Sequence, residues 1–416
     1  MIIMQIYPSQ WGSLKNIAAK AEYYKDLGVE AIWISPCYPH SGYDNGYDIK
    51  DYRDIAPEYG TLEDMKELID VYHANGIKVL MDLVINHCSI EHPIYKEALK
   101  GDKNAQTMFH MHDEPRNDWE AIFGGSVWKH EPSIDKYVFH AFTEGQIDWN
   151  FDNEAVWDYW ESVIAFWLED MNVDGFRIDA QTHMAKNDWD APKVKHDPGA
   201  PYRCAPKLHE YMEHLSDIVY GIDGSAFLMG EANGIDACGA KRWIDEGLLD
   251  CVIQFEHLAP FKLEGTHRNG STLDCILKMK EWSDVLGEDN LSYVQSHDIA
   301  CAYSVLSLDH EDIARVVFSQ QGHKLLYNGQ ETGMENKIWK DLREIKEPET
   351  KGRFEKLVAR GVPIVNAAAL AAQLSRENAR QPIQWDNNPE LHELYKELIA
   401  KDKKEREQYV RTFTSC

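Results

Sequence analysis

Four acidic residues in this 416-residue sequence stand where short apolar runs stop, namely Asp82, Asp179, Glu231 and Asp298. Runs of this length and composition are typical of buried strands. In a barrel of parallel strands, the carboxyl ends of the strands meet on one face, where catalytic groups lie. Two converging carboxyl groups, one of them protonated, can break a glycosidic bond. The sequence therefore predicts that these residues converge on a site for acid–base or nucleophilic chemistry.

Each of these residues also has a purely structural explanation. Arg177 stands two residues before Asp179, and residues two apart on a strand share a face, so the two could form an ion pair that closes a strand. Glu231 could cap a helix, and Asp298 could pair with His297. The same pattern at the end of four strands nevertheless favours a catalytic cluster.

Eight strand-like runs alternate with helix-like segments along the chain. The runs begin near Ile2, Ala31, Lys78, Gly175, Ala226, Cys251, Leu291 and His323. Eight buried strands that alternate with helices predict a closed (β/α)8 TIM barrel of the α/β class rather than an open doubly wound sheet.

Several helices have recognisable ends in the sequence. An apolar stripe from Leu14 to Leu27 predicts one helix that stops at Gly28. Thr61 and Asp64 match a capping box at the start of the next helix. The charged stretch 335–360 predicts a solvated helix and loop rather than a binding patch.

One interval between predicted strands, from the third to the fourth, is much longer than most others. It predicts a small insertion domain at residues 88–150, while residues 1–87 and 151–416 form the barrel. An insertion at this point would overhang the carboxyl ends of the strands and wall one side of an active-site cleft.

The amino-acid composition limits which classes of molecule this protein is expected to bind. The chain has 43 Lys and Arg against 70 Asp and Glu, a net charge of −27, which disfavours nucleic acid and anionic membranes and suits a neutral ligand. Its eight cysteines form no CxxC pair, so we expect reduced thiols and a cytoplasmic protein. No apolar run approaches a membrane span, and the first residues lack the features of a signal peptide.

The chain resembles glycoside hydrolase family 13, the α-amylase family, and most closely its oligo-1,6-glucosidase and α-glucosidase branch. The resemblance covers nearly the whole length, and its motifs occur in the family's order. They are residues 82–87 (DLVINH), 117–126 (NDWEAIFGGS), 146–150 (QIDWN), 175–179 (GFRID), 230–231 (GE), 297–298 (HD) and 375–385 (SRENARQPIQW).

The resemblance implies a catalytic role for each of three carboxylates. Asp179 would be the nucleophile, with its ionised state favoured by Arg177. Glu231 would be the general acid and later the base, with a pKa raised by burial and by carboxylate neighbours. Asp298 would stabilise the distorted, oxocarbenium-like sugar.

The resemblance also implies the residues that bind substrate. His87 and His297 would contact the sugar at the cleavage subsite, and Tyr47 would pack against its apolar face. Asp44 and Arg380 would grip a terminal glucose and close the pocket behind it, so that only chain ends enter. The enzyme would therefore act as an exo-glucosidase.

The sequence departs from the family pattern in several places. Residues 7–12 lack the usual acidic calcium loop, so we expect no metal and no cofactor. Ser296 replaces an expected asparagine, and Ile299-Ala300 replaces the usual Gln-Pro. Ala180, after the predicted nucleophile, is more usual in α-1,4 than in α-1,6 enzymes. We also expect a minimal barrel without the family's C-terminal β-sandwich.

We therefore expect a retaining, exo-acting α-glucosidase that releases glucose from short α-glucosides, with α-1,4 favoured over α-1,6 linkages. A transglycosylase or isomerase, such as a sucrose isomerase, would share every catalytic residue. A catalytically inactive amylase-like scaffold is a third alternative. The expected partner is a small oligosaccharide or α-glucoside rather than nucleic acid or membrane, and the oligomeric state is left open.

Overall fold

Eight parallel strands form the centre of the protein. The computed structural model describes residues 1–195, 197–261, 263–264, 267–268 and 270–414. Numbered in chain order, the strands are β1 (Ile2–Ile6), β2 (Ala31–Ile34), β3 (Lys78–Leu83), β4 (Gly175–Ile178), β5 (Phe227–Glu231), β6 (Cys251–Ile253), β7 (Leu291–Ser292) and β8 (His323–Tyr327). All eight begin within one residue of the predicted positions.

The strands follow one another around a nearly closed barrel. Their order in the sheet is β6-β5-β4-β3-β2-β1-β8-β7, and every hydrogen-bonded pair is parallel. At the two edges, the hydroxyl of Tyr293 donates a hydrogen bond to the carbonyl of Gln254 at 2.6 Å, which links the ends of β7 and β6. The prediction of a (β/α)8 barrel is confirmed.

Helices surround the barrel. The α-helices are α1 (Leu14–Ala18), α2 (Ala21–Leu27), α3 (Leu62–Ala74), α4 (Pro93–Leu99), α5 (Lys103–Thr107), α6 (Glu154–Ala165), α7 (Leu208–Ile222), α8 (Ala237–Asp245), α9 (Thr272–Leu286), α10 (Ala302–Leu306), α11 (His310–Phe318), α12 (Pro348–Ala359), α13 (Ile364–Gln373) and α14 (Pro389–Thr414). In the described part of the chain, no helix is both long and apolar enough to cross a membrane.

Local sequence explains where several helices start and stop. The Thr61 hydroxyl accepts a hydrogen bond from the Asp64 amide, and the Asp64 carboxylate accepts one from the Thr61 amide, so the predicted capping box is present. The single helix predicted before Gly28 is two helices, α1 and α2. The amide of Lys20 donates to the carbonyl of Ile17 at 3.0 Å, a tighter turn that interrupts the regular helix.

The interior of the barrel changes from apolar to charged along the strands. Leu80 and Met229 are fully buried in the apolar cluster inside the barrel. Two residues further on, each strand carries an acidic side chain on the same face, Asp82 on β3 and Glu231 on β5. The strand period thus places charged groups above an apolar layer, at the carboxyl ends of the strands.

Residues 88–150 contain short strands and two small helices. The strands in and around this region are His87–Ser89, Met111–His112, Trp128–Glu131, Lys136–Phe139 and Gln146–Asp148, and two further short strands lie at Leu263–Glu264 and His267–Arg268. Trp119, Trp128 and Phe139 form a separate aromatic core together with Tyr202, which comes from the segment after β4. The division at residues 88 and 150 stays a prediction, because this core includes residues from both sides of it.

Gly175, at the start of β4, gives a test of how tightly the barrel is packed. Its φ is +142°, and a Cβ added there would lie 2.1 Å from the carbonyl oxygen of Phe227 on β5. We expect Gly175→Ala to lower the free energy of unfolding by about 2–4 kcal/mol, from backbone strain and overpacking. Urea unfolding followed by circular dichroism measures this change.

Gly221 provides the matched control. It lies in α7, and a Cβ added there would meet no atom within 4 Å. Gly221→Ala should be neutral or stabilise the protein by up to about 1 kcal/mol through helix propensity. Equal effects of the two substitutions would contradict the packing described for β4 and β5.

Candidate active site

Arg177 is the centre of the candidate site. One guanidinium nitrogen lies 2.5 Å from Asp179 and 3.1 Å from Asp82, and the other lies 2.7 Å from Glu231. The three carboxylates come from the ends of the neighbouring strands β3, β4 and β5. The guanidinium is 1% exposed and lies 5.0 Å from the centre of the Trp33 ring. Arg177 therefore binds three of the predicted acidic residues at once.

One cation cannot neutralise three carboxylates, and burial makes each of them harder to ionise. Burial raises the pKa of Asp82 to about 6, that of Asp179 to about 7 and that of Glu231 to about 8. Arg177 lowers all three pKa values, as expected for Asp179, but burial has the larger effect. Of the three, Glu231 has the highest pKa and therefore holds its proton most strongly at neutral pH, while Asp179 ionises more readily.

The Glu231 carboxylate has a second contact that fixes its position. It accepts a hydrogen bond from the Ala180 amide at 2.9 Å. Ala180 has a φ of +46°, in the left-handed region. Non-glycine residues are uncommon there, and such conformations occur at functional sites. The turn after β4 thus aims a backbone donor at Glu231.

The electrostatic environment of Asp298 is opposite to that of Glu231, because it favours the ionised form. Burial opposes its ionisation, but the positive charges of Arg376 at 3.1 Å and Arg380 at 3.8 Å outweigh burial and hold the pKa of Asp298 well below its usual range. Asp298 is therefore ionised where Glu231 is protonated. Carboxylates whose pKa values are pushed apart are typical of acid–base sites.

The predicted sugar-binding residues lie beside these carboxylates. The Tyr47 hydroxyl is 3.0 Å from Asp82 and 2.7 Å from Nε2 of His297, and the Tyr47 and His297 rings stack at 5.2 Å. Nε2 of His87 lies 3.0 Å from the Tyr47 carbonyl oxygen. Burial lowers the pKa of both histidines, so they are neutral hydrogen-bonding groups.

Asp44 pairs with an arginine of the motif at residues 375–385 that the resemblance did not single out. Arg376, not Arg380, donates to Asp44 at 3.1 Å. Nε of Arg380 donates to the His297 carbonyl at 3.1 Å, and the guanidinium lies 5.1 Å from the centre of the Tyr7 ring. Arg380 remains within the site but contacts its wall rather than Asp44.

Residues from the charged stretch 335–360 explain the position of Arg376. Glu347 is 1% exposed and lies 3.5 Å from the Arg376 guanidinium, and Glu349 lies 3.3 Å from it. The prediction that this stretch is solvated is therefore wrong at Glu347, whereas Glu349 is 35% exposed. The sequence analysis missed Arg376, Glu347 and Glu349. The only signal for them was a second arginine in the motif at residues 375–385, four residues before Arg380.

A cavity of about 1260 Å³ opens above the carboxylates. Asp179, Glu231 and Asp298 line it, and Phe123 and Phe142 from residues 88–150 contribute apolar wall. This volume exceeds the roughly 300–1,000 Å³ of ordinary ligand pockets. The cavity therefore has room for more than one sugar ring.

The loop after β1 does not fit the calcium site of the family. The amide nitrogen of Gln10 donates to the carbonyls of Ala379 and Gln381 at 2.9 and 2.8 Å, and its oxygen accepts from Asn328 at 2.6 Å. No carboxylate stands between Tyr7 and Gly12. A hard cation needs several free oxygen ligands, and this loop does not supply them.

The raised pKa of Glu231 predicts a pH dependence of stability. The folded protein binds a proton on Glu231 up to about pH 8, whereas the ordinary pKa is 4.5, so this group's contribution to stability falls as pH rises from about 4.5 to 8. Glu231→Gln has no proton to lose. We expect wild type to lose stability relative to this variant between pH 5 and 9, by on the order of a few kcal/mol.

Urea unfolding of wild type and variant at a series of pH values measures this difference. Glu97→Gln, which alters a surface carboxylate paired with Lys100, is the control and should leave the pH profile unchanged. A constant difference between wild type and Glu231→Gln across the range would show that Glu231 has an ordinary pKa.

Comparison with known proteins is consistent with this geometry. The family model described as "Alpha amylase, catalytic domain" matches residues 4–410. An oligo-1,6-glucosidase of Bacillus cereus is 31% identical over 93% of this chain and 75% of its own length. A trehalose-6-phosphate hydrolase of Bacillus subtilis (strain 168) is 30% identical over 92% of this chain and 73% of its own length.

A similar solved structure is that of the trehalulose synthase from Pseudomonas mesoacidophila MX-45. It has a TM-score of 0.88 and 27% sequence identity, and the match covers 96% of this chain and 83% of the other. The family model and the solved structure agree with the barrel fold. The chain belongs to the α-amylase family, glycoside hydrolase family 13, within its oligo-1,6-glucosidase and α-glucosidase branch, and is a glycoside hydrolase.

Proposed function

We propose that this glycoside hydrolase is a retaining, exo-acting α-glucosidase that releases glucose from the non-reducing end of short α-glucosides. The observation that carries the proposal is that Asp179 and Glu231 bind the two terminal nitrogens of one guanidinium. This shared partner keeps the two carboxyl groups close together. Retaining enzymes need a short separation of about 5–5.5 Å, without room for a water molecule between the acid and its partner.

The proposed reaction has two steps. In the first, the ionised Asp179 attacks the anomeric carbon, and the proton of Glu231 moves to the glycosidic oxygen as the leaving sugar departs. In the second, Glu231, now ionised, takes a proton from water, and the water oxygen displaces Asp179 from the glucosyl ester. The two displacements restore the α configuration and return the proton to Glu231.

The other residues supply positioning and charge. Asp298 is ionised, so it can stabilise positive charge that develops on the sugar ring. Tyr47 offers a ring for the apolar face of the sugar, and His87 and His297 can hydrogen-bond its hydroxyls. Asp82 contacts Arg177, Tyr47 and Trp33, so its role is to position these groups.

Exo action is supported by the ion pair between Asp44 and Arg376. Both side chains are less than 10% exposed, and Glu347 behind Arg376 is fully buried. A buried arginine held by several carboxylates is rigid. We propose that it closes the cavity behind the terminal glucose and leaves no passage for a further sugar.

The stereochemistry of the product tests the double displacement. We expect proton NMR of a fresh hydrolysis mixture to show α-glucose first, and β-glucose only later through mutarotation. Asp179→Asn should lower kcat by several orders of magnitude because it removes the nucleophile. Initial release of β-glucose would contradict the proposal.

Substitution of Arg376 tests exo action. Arg376→Ala leaves Asp44 and Glu347 without their cationic partner, and loss of a charged hydrogen bond costs about 1.5–3 kcal/mol. We therefore expect kcat/KM for maltotriose to fall roughly ten- to a hundredfold. Arg343→Ala is the control, because Arg343 is exposed and, among the residues that the structure describes, pairs only with Asp341. Rapid cleavage of cyclodextrin by the wild type would contradict a closed pocket, since a ring has no end to insert.

Linkage preference is part of the same proposal. Ala180, next to the nucleophile, supports α-1,4 over α-1,6 bonds, although several relatives are named oligo-1,6-glucosidases. The likeness to a trehalulose synthase favours an isomerase as the second candidate. Product analysis with maltose, isomaltose, sucrose and trehalose separates these activities, because an isomerase converts sucrose into another disaccharide.

We also propose that the enzyme works without metal and in the cytoplasm. The residues of the β1 loop do not fit a calcium ion, and the seven described cysteines are unpaired thiols, as is usual in reducing compartments. EDTA should therefore change neither activity nor Tm. A loss of activity on chelation that calcium reverses would contradict the proposal.

A further inference from the structure

One sector of the cavity wall is apolar. Apart from His297 and Asp298, every described residue that the segment 251–306 contributes to this wall has an apolar side chain. We define five of them as the apolar sector, namely Phe255, Leu258, Ile299, Val305 and Leu306. They follow β6 and β7, the two strands at the edges of the sheet.

The apolar sector continues the apolar cluster inside the barrel. Leu258 is part of this cluster, and Phe255 and Ile299 pack against it while they stay partly exposed in the cavity wall. On β5 the acidic side chain of Glu231 lies between the cluster and the cavity. After β6 and β7, apolar side chains line the cavity directly. Apolar surface of this kind is typical of sites that bind ligands.

The apolar sector begins beside Glu231. β6 pairs with β5, and Ile253 lies opposite Glu231 in the register. Phe255 follows Ile253 by two residues, so it lies further toward the carboxyl end of the barrel. Ile299 directly follows Asp298. The proposed general acid is therefore bordered by apolar residues on its β6 side.

The proposed reaction indicates which part of a substrate meets this sector. The residues proposed to bind the glucose lie at or after the ends of β2, β3, β4, β7 and β8. Glu231, on β5, must reach the glycosidic oxygen in order to protonate it. The bond from this oxygen to the aglycone, the leaving part of the substrate, therefore points toward β5 and β6. The aglycone would contact the apolar sector there.

An apolar wall suits an apolar aglycone. A second sugar carries several hydroxyl groups, and the aliphatic side chains of Leu258, Ile299 and Val305 offer them no hydrogen bond. Burial of a hydroxyl group without a partner costs free energy. A hydrocarbon group gains free energy when the same wall removes it from water.

We propose that the preferred substrate is an α-glucoside whose aglycone is an alkyl or aryl group rather than a second sugar. This inference rests on the proposed function and names the substrate class of the same site. The reaction steps are unchanged. Glu231 gives its proton to the glycosidic oxygen, the aglycone leaves as an alcohol or phenol, and water releases glucose from Asp179 and returns the proton to Glu231.

Lengthening the aglycone of a test substrate examines the inference. Ethyl, butyl and hexyl α-glucosides all release a primary alcohol of nearly the same basicity, so they differ mainly in apolar surface. We expect kcat/KM to rise with chain length, by up to about fourfold for each methylene group, the factor that corresponds to its full burial. Glucose release at substrate concentrations far below KM measures kcat/KM.

A matched pair of substrates separates apolar contact from size. Butyl and 4-hydroxybutyl α-glucosides have the same chain and the same leaving oxygen, and they differ by one terminal hydroxyl. We expect kcat/KM to be at least about fivefold higher for the butyl compound, because the wall offers this hydroxyl no hydrogen bond. A preference for the 4-hydroxybutyl compound would overturn the inference. It would indicate that the aglycone instead contacts charged side chains of the segment after β4, such as Lys193 and Arg203.

A double variant tests whether the apolar sector is responsible. Phe255→Tyr/Ile299→Gln adds polar groups with little change in volume and should reduce the butyl preference to less than about twofold. Leu273→Gln/Leu277→Gln is the control, because these residues of α9 are 61% and 56% exposed and lie outside the cavity wall. The control should keep the preference. A ratio of two substrates on one sample is independent of how much of the variant is folded.

The outcomes separate the inference from the proposed function. If maltose is cleaved but neither chain length nor the terminal hydroxyl changes kcat/KM, the inference is wrong and the proposed function stands. An equal loss of preference in both double variants would also overturn the inference. If the Phe255→Tyr/Ile299→Gln protein does not fold, the two substrate series on the wild type still decide. If no α-glucoside of any kind is cleaved, the proposed function fails and the inference fails with it.

Discussion

The site depends on one buried guanidinium that binds three carboxylates. Arg177 holds Asp82, Asp179 and Glu231, which come from three neighbouring strands. Removing one partner of such a buried network usually costs about 3–5 kcal/mol, because it leaves uncompensated charge. The positions of the strands and the protonation states of the carboxyl groups are therefore determined together. A barrel that held the strands a little further apart could not form this arrangement.

The same shortage of positive charge explains how one site can hold an acid and a nucleophile. A second guanidinium between Asp179 and Glu231 would favour ionisation of both, and neither could then donate a proton at neutral pH. Asp298 has its own cationic partners, Arg376 and Arg380, and stays ionised. The difference between these carboxylates comes from the number of cations around each, not from residue type.

A second arginine, Arg376, organises further carboxylates in the same cavity. It contacts Asp44, Asp298 and Glu347, so its charge is shared among three acidic side chains. The insertion contributes apolar wall to this cavity through Phe123 and Phe142.

Much of this could be predicted from sequence because the signals are local. Strand periodicity places Leu80 and Asp82 on one face, and the capping box of Thr61 and Asp64 involves residues three positions apart. The partner of Asp44 could not be predicted in this way, because Arg376 lies 332 residues away. Two arginines in one motif were equally eligible, and the choice depends on Glu347, which the sequence presents as part of a solvated stretch. The pKa of Asp179 was also beyond prediction, since burial is a property of the folded barrel.

The most direct test of the account is to trap the covalent intermediate on the enzyme. A 5-fluoro-α-glucosyl fluoride forms a glucosyl ester quickly and loses it slowly, because the ring fluorine destabilises the positively charged transition state. Peptide mass spectrometry after such treatment should find one fluoroglucosyl group, attached to Asp179. A label on another residue, or none during turnover, would contradict the assignment of Asp179 as the nucleophile held beside Glu231 by Arg177.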